Sequence, residues 1–116
     1  MRREERVGEK KQSIYKLYMM KPKEAWYSLS KAEQRRIIAQ DAEISHRMME
    51  KHGGRSVVAC DCFWSTEDWL LFGVEEYPNV EAVQSSTRAL REMGWFKYFE
   101  SRIVLGTPEM PLELTP

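Results

Sequence analysis

Asp41 and Ser45 stand one helical turn apart in a segment whose other inward positions are Ile37, Ile38, Ile44, Met48 and Met49. A carboxylate and a hydroxyl four residues apart share a helix face and can hydrogen-bond each other. Set into an apolar stripe, along with Gln34 and His52, they need partners or a cavity. The chemistry open to Asp41 is that of a general base or a ligand anchor, with a pKa perturbed by burial. The plainer role is a partner for a buried tyrosine or a backbone amide. His52 offers acid–base chemistry near neutral pH, against a structural role at the carbonyl end of the helix, where a cation favours the dipole. His46, with Glu50 one turn on, reads as half of a surface pair. Tyr15 brings a phenol that could donate a proton or orient a carbonyl, or simply pack with its hydroxyl bonded. Asp41, Tyr15 and His52 are the candidate catalytic residues.

The stretch "VVACDCFW", Val57 to Trp64, holds both cysteines of the chain, one residue apart around Asp61. Zinc needs four ligands, and two cysteines with two histidines on a distant helix lack the usual finger spacing; no metal site is expected. A disulfide between residues i and i+2 of a straight strand lacks favourable geometry, so Cys60 and Cys62 read as small hydrophobes on a pocket wall. With Ser45, Met48, Trp64 and Phe72 they form the expected substrate-binding set. The chain has no Gly-rich phosphate loop, no Gly-x-Ser-x-Gly elbow and no His-Glu-x-x-His pair. No cofactor is implied by any of these residues.

The elements that must position them belong to one domain of 116 residues, whose 18 basic and 18 acidic side chains cancel. That balance lacks the electrostatic footprint of a nucleic-acid partner. No run approaches the ~20 apolar residues of a membrane span. "MRREERVGEKKQ", residues 1–12, lacks a signal-peptide core and reads as a charged arm; the chain is expected to be cytoplasmic with free thiols.

"SIYKLYMM", Ser13 to Met20, is a strand. Ser30 and Glu33 form a capping box that opens a helix from Lys31 to His52, with Gly53-Gly54 as its stop. Arg55 to Trp64 and Asp68 to Glu76 are predicted as a hairpin closed by "STE". Pro78 and Asn79 open a second helix that ends at Gly94, and Trp95 to Gly106 is the last strand. "TPEMPLELTP", residues 107–116, is a Pro-rich tail. The order β-α-β-β-α-β over residues 13–106 predicts an α+β, ferredoxin-like fold: a four-stranded antiparallel sheet with both helices on one face.

Alternation then separates two faces. The more apolar set, with Tyr15, Leu17, Met19, Val58, Cys60, Cys62, Phe72, Val74, Phe99 and Ile103, is assigned to the helices. The mixed set, with Ile14, Lys16, Tyr18, Val57, Asp61, Trp69, Leu71, Glu75, Glu100, Arg102 and Val104, is assigned to the open face. An apolar patch of that extent marks an interface, so the open face is expected to join two copies of the chain. Lys16, Asp61, Trp69, Glu100 and Arg102 are its expected interface residues, the charged ones fixing register or lining a wet rim.

With this order and the patches "AWYSLSKAEQRR" (Ala25 to Arg36) and "LREMGWFKYFES" (Leu90 to Ser101), the chain resembles the dimeric α+β barrel superfamily. Within it the chain is most similar to the darcynin-like group of uncharacterised proteins. The resemblance covers residues 13 to 106 at the level of element order. It implies a homodimer closed through the open sheet faces and a pocket between sheet and helices in each subunit. It supplies no reaction, since the superfamily spans cofactor-independent monooxygenases, isomerases, polyketide cyclases, haem enzymes and proteins without known activity. Two readings stand: a pocket that binds or transforms a small hydrophobic or aromatic molecule without a cofactor, and a non-catalytic structural or interaction module.

Overall fold

The computed structural model describes residues 12–109. Nearly all of the expected arm and most of the expected tail lie outside that range. The elements run β1 (Ile14–Pro22), α1 (Glu24–Tyr27), α2 (Lys31–His52), β2 (Arg55–Asp61), α3 (Phe63–Thr66), β3 (Leu71–Tyr77), α4 (Val80–Glu92), α5 (Trp95–Tyr98) and β4 (Phe99–Gly106). The strands form one sheet in the order β2-β3-β1-β4, and every neighbouring pair is antiparallel. This is the ferredoxin-like α+β arrangement, with α2 and α4 packed on one face.

The long helices have the ends their sequences call for. At the start of α2, the Glu33 N–H donates to Ser30 Oγ while the Ser30 N–H donates back to the Glu33 carboxylate. At its end Gly53 takes the left-handed conformation, φ +82°, and its N–H donates to the Met49 carbonyl. Asn79 caps α4 by accepting from the Ala82 N–H. That helix buries Ala82, Val83, Ser86 and Leu90 along one stripe.

Two predicted strand segments are helical turns instead. The second strand stops at Asp61, whose carboxylate accepts the Phe63 N–H and starts the turn of α3. A side chain that satisfies a free backbone donor just past the strand competes with the ladder, so residues 62–70 connect β2 to β3. The last strand begins at Phe99 rather than Trp95. Gly94, at φ +88°, turns the chain into α5 and buries Trp95, whose ring stacks on Phe99 at 4.1 Å between centroids.

The face assignment requires a larger correction. Directly paired residues of antiparallel strands share a face, and the register pairs Lys16 with Glu75, Tyr18 with Gly73, and Met20 with Leu71. Lys16, Tyr18, Met20, Leu71 and Glu75 line a cavity with α2 and α4 residues, so this set faces the helices. Tyr15, Leu17, Met19, Phe72 and Val74 occupy the open face, together with Val58 and Cys60 of β2. Only β4 has the expected orientation, with Phe99 and Ser101 inward. In β2 an irregularity between Ser56 and Val58 accommodates Val57 as an extra residue; such a bulge interrupts simple alternation.

The core is divided. One buried cluster joins Met20, Ile37, Leu90, Trp95 and Phe99. A smaller one joins Tyr77, Ala82 and Val83. The cavity lies between them, drawing Met20, Leu90 and Trp95 from the first and Tyr77 from the second.

Candidate functional site

The cavity encloses about 220 Å³ between the sheet and α2, α4 and α5. Its floor is graded by the β1–β3 register: Met20 and Leu71 at one end, Tyr18 over Gly73 in the middle, Lys16 and Glu75 at the other. Ile38, Asp41 and Ser45 of α2 form one wall, and Ser86, Leu90 and Trp95 form another.

Gly73 is needed at the centre of that floor. A Cβ there would stand 2.6 Å from Tyr18 Cζ and 2.7 Å from the Val58 carbonyl oxygen, closer than real contacts permit. The missing side chain lets the Tyr18 ring lie across the strand pair. Burial, and next the negative charges of Glu75 and Asp41, push the Tyr18 phenol above its ordinary pKa, so it stays a proton donor at neutral pH.

At the charged end, Lys16 is only 4% exposed, and its Nζ lies 3.6 Å from Glu75 Oε1. The Tyr77 hydroxyl donates to the same oxygen at 2.7 Å. Burial and then the adjacent Glu75 charge raise the Tyr77 phenol far above its normal pKa. The ammonium of Lys16 is thus held by one carboxylate, and that carboxylate is held in turn by a phenol. Such pairing is what makes a buried charge tolerable.

Asp41 lacks an equivalent partner. Ser45 Oγ donates to its Oδ1 at 3.4 Å, a long hydrogen bond. Burial lifts its carboxyl from 3.8 to about 6; the Ser45 bond opposes the rise, Glu75 adds to it, and Lys16 opposes it. Across the cavity, Ser86 is buried at 7% exposure, and its Oγ makes no hydrogen bond. An unpartnered hydroxyl on a cavity wall is a group left for something the cavity holds.

Of the candidate catalytic residues, Asp41 lines this cavity. Tyr15 lies on the opposite face of the sheet, because its register partner is Glu76 rather than Glu75. His52 is in the last turn of α2 and is not among the lining residues.

Of the expected substrate-binding residues, Ser45 lines the cavity and Met48 does not. Cys60 and Phe72 pair with each other on the open face. Cys62 is buried with its thiol against the Trp69 carbonyl, 3.5 Å away. Trp64 is 83% exposed, its ring N–H tied to the Asp61 carbonyl.

Among the expected interface residues, Trp69, Glu100 and Arg102 gather on the open face. The Trp69 ring lies 5.0 Å from Lys21 Nζ and 5.9 Å from the Arg102 guanidinium carbon, and Lys21 also meets Glu100 at 4.0 Å. Lys16 belongs instead to the cavity floor, and Asp61 to the start of α3.

Lys16, Tyr18, Glu75, Tyr77 and Ser86 are the site residues that sequence reasoning missed. The signal that could have found them is the parity of β4: burying Phe99 beside Trp95 fixes the inward face of β1 through Met20.

No protein-family model and no curated protein matches the chain. Its fold does match solved structures. Chlorite dismutase from Candidatus Nitrospira defluvii superposes with a TM-score of 0.73 at 11% identity, over 96% of this chain and 45% of that one. A candidate chlorite dismutase gives 0.64 at 23%, over 84% and 46%. A Rhodopseudomonas palustris protein of unknown function gives 0.60 at 20%, over 88% of this chain and 86% of that one. The chain spans less than half the length of the two chlorite dismutase-like chains. At these identities the likeness defines the fold alone, a four-stranded antiparallel sheet with helices on one face in the ferredoxin-like order. Neither histidine lines the cavity, whose polar groups are carboxylates, phenols, hydroxyls and one paired ammonium.

Proposed function

We propose that the protein binds a small, largely apolar or aromatic molecule in the cavity beneath α2 and can transform it by proton transfer without a cofactor. The observation that carries this reading is a partly open cavity, apolar at one end, lined by the Asp41 carboxylate with only a long bond from Ser45 and by a Ser86 hydroxyl without a hydrogen bond of normal geometry. A cavity of about 150 Å³ holds benzene. Roughly 220 Å³ therefore accommodates a single ring with a short polar arm.

The residues divide the work by chemistry. Met20, Leu71, Leu90 and Trp95 take the apolar body and exclude water. Asp41, ionised above about pH 6, accepts a proton from the ligand's polar arm and can return it at a neighbouring atom, the requirement of an isomerase-type reaction. Tyr18 and Lys16 supply donors for an oxygen on which charge develops. Glu75 and Tyr77 keep the Lys16 ammonium in place.

The assembly proposed is a cytoplasmic homodimer of the darcynin-like type, closed through the open sheet faces. Leu17, Val58 and Val104 are each more than two-fifths exposed there in the single chain, an arrangement that favours a covering partner. A thermal-shift screen of monocyclic aromatics against the wild type and Asp41→Asn tests the pocket. Binders whose effect depends on Asp41 are expected. A chain that no monocyclic compound stabilises would sink the proposal.

A further inference from the structure

The charges around the cavity point to the class of ligand it takes, an inference that rests on the pocket reading above. Lys16 and Glu75 neutralise each other at 3.6 Å, and Glu75 is further held by the Tyr77 hydroxyl. Asp41 remains, with only a long bond from Ser45. The groups facing it from β1 are Lys16 and Tyr18, and those from β3 are Glu75 and Tyr77; α4 contributes Ser86 and no ionisable side chain. Counting Lys16, Glu75 and Asp41 in their ionised forms, the cavity holds one more negative than positive charge. A neutral or anionic guest would leave that charge unmatched as it displaced water from the cavity. A cationic guest would compensate it.

We propose that the cavity is a site for a small aromatic amine, its ammonium group held by Asp41 and its ring lodged among Met20, Leu71, Leu90 and Trp95. Ammonium has three donors, and the cavity lining supplies acceptors on Asp41, Glu75 and Ser86. Ser86 is over nine-tenths buried, and its Oγ lies near the Tyr77 hydroxyl without a hydrogen bond of normal geometry, so a donor arriving with the ligand completes its bonding. Phenols and alcohols of equal size fill the same space but bring no charge.

Isothermal titration of the full chain with three isosteric probes tests this: benzylamine, benzyl alcohol and benzoate. Benzylamine is expected to bind at least about tenfold tighter than benzyl alcohol, the margin of a charge-assisted hydrogen bond over a neutral one. Asp41→Asn is expected to erase that preference while leaving the alcohol bound. Taking the wild type from about pH 7.5 to about pH 5, where roughly one Asp41 in ten stays ionised, should weaken amine binding about tenfold and leave the alcohol unchanged. This pH series needs no variant and stands even if Asp41→Asn fails to fold. Alcohol or benzoate binding as tightly as the amine overturns the amine assignment and leaves the pocket intact. Failure of all three probes overturns both.

Discussion

Replacing Asp41 by Asn should stabilise the protein, and do so only where the carboxylate is charged. Burial holds this carboxyl at about 6 in the folded chain, against 3.8 when free. A group whose pKa is raised on folding contributes its full stability below the unfolded value and loses it as the pH rises through the folded one. Above about pH 6 the ionised Asp41 therefore costs the fold up to about 3 kcal/mol. Because the side chain is only partly buried, solvent screening reduces that cost to roughly 1–2 kcal/mol. Asparagine keeps the shape and can still accept from Ser45, but carries no charge. Urea unfolding of both proteins at about pH 4.5 and at about pH 8 measures the difference by linear extrapolation. The expected result is a gain for Asp41→Asn of about 1 kcal/mol at the higher pH relative to its effect at the lower, because the unfolded carboxyl, at 3.8, is already largely ionised at about pH 4.5 and part of the cost is present there. Lys16, Glu75 and Tyr77 are present in both proteins, so the comparison isolates the charge at position 41. An equal effect at both pH values, or a larger gain in acid, would refute the reasoning that Asp41 is a desolvated and uncompensated carboxylate.

Two further outcomes follow from the sheet. Gly73→Ala places a methyl against Tyr18 Cζ and the Val58 carbonyl; since the backbone oxygen cannot yield as a ring can, it should cost about 1–3 kcal/mol in urea unfolding and abolish ligand binding. A variant as stable and as active in binding as the wild type would show that Tyr18 does not need that gap. Light scattering should give the wild type twice the 13.7 kDa of one chain, and Val104→Glu with Trp69→Ala should return it to a single chain. A wild type that scatters as a monomer at micromolar concentration removes the dimer.

The elements were legible because their signals are local. Ser30 with Glu33, Gly53 and Asn79 each satisfy backbone groups within a few residues of themselves, and such chemistry can be read from a short string. The misread segments, Phe63–Trp64 and Trp95–Tyr98, are aromatic runs with strand-like composition. What turns them is Asp61 reaching the Phe63 N–H and Gly94 entering the left-handed region. In both cases one polar or flexible residue outweighs the preference of those that follow.

The inverted faces have a different cause, and it bears on function. Assigning the more apolar set to the helices assumes that the space beneath them is solid core. Here that space is a cavity, and its floor carries Lys16, Tyr18 and Glu75 because they meet one another and Asp41 across it. Leu17, Met19, Phe72, Val74 and Val104 are correspondingly on the side that no helix among the described residues covers. Polar residues under the helices and apolar ones outside would be unfavourable in an isolated, close-packed monomer. The inversion is reasonable if the covered face holds a ligand and the uncovered face holds another subunit. One double variant tests both halves of that argument: Val104→Glu with Trp69→Ala should separate the subunits and yet leave the Asp41 site intact, because the two faces share only the backbone between them.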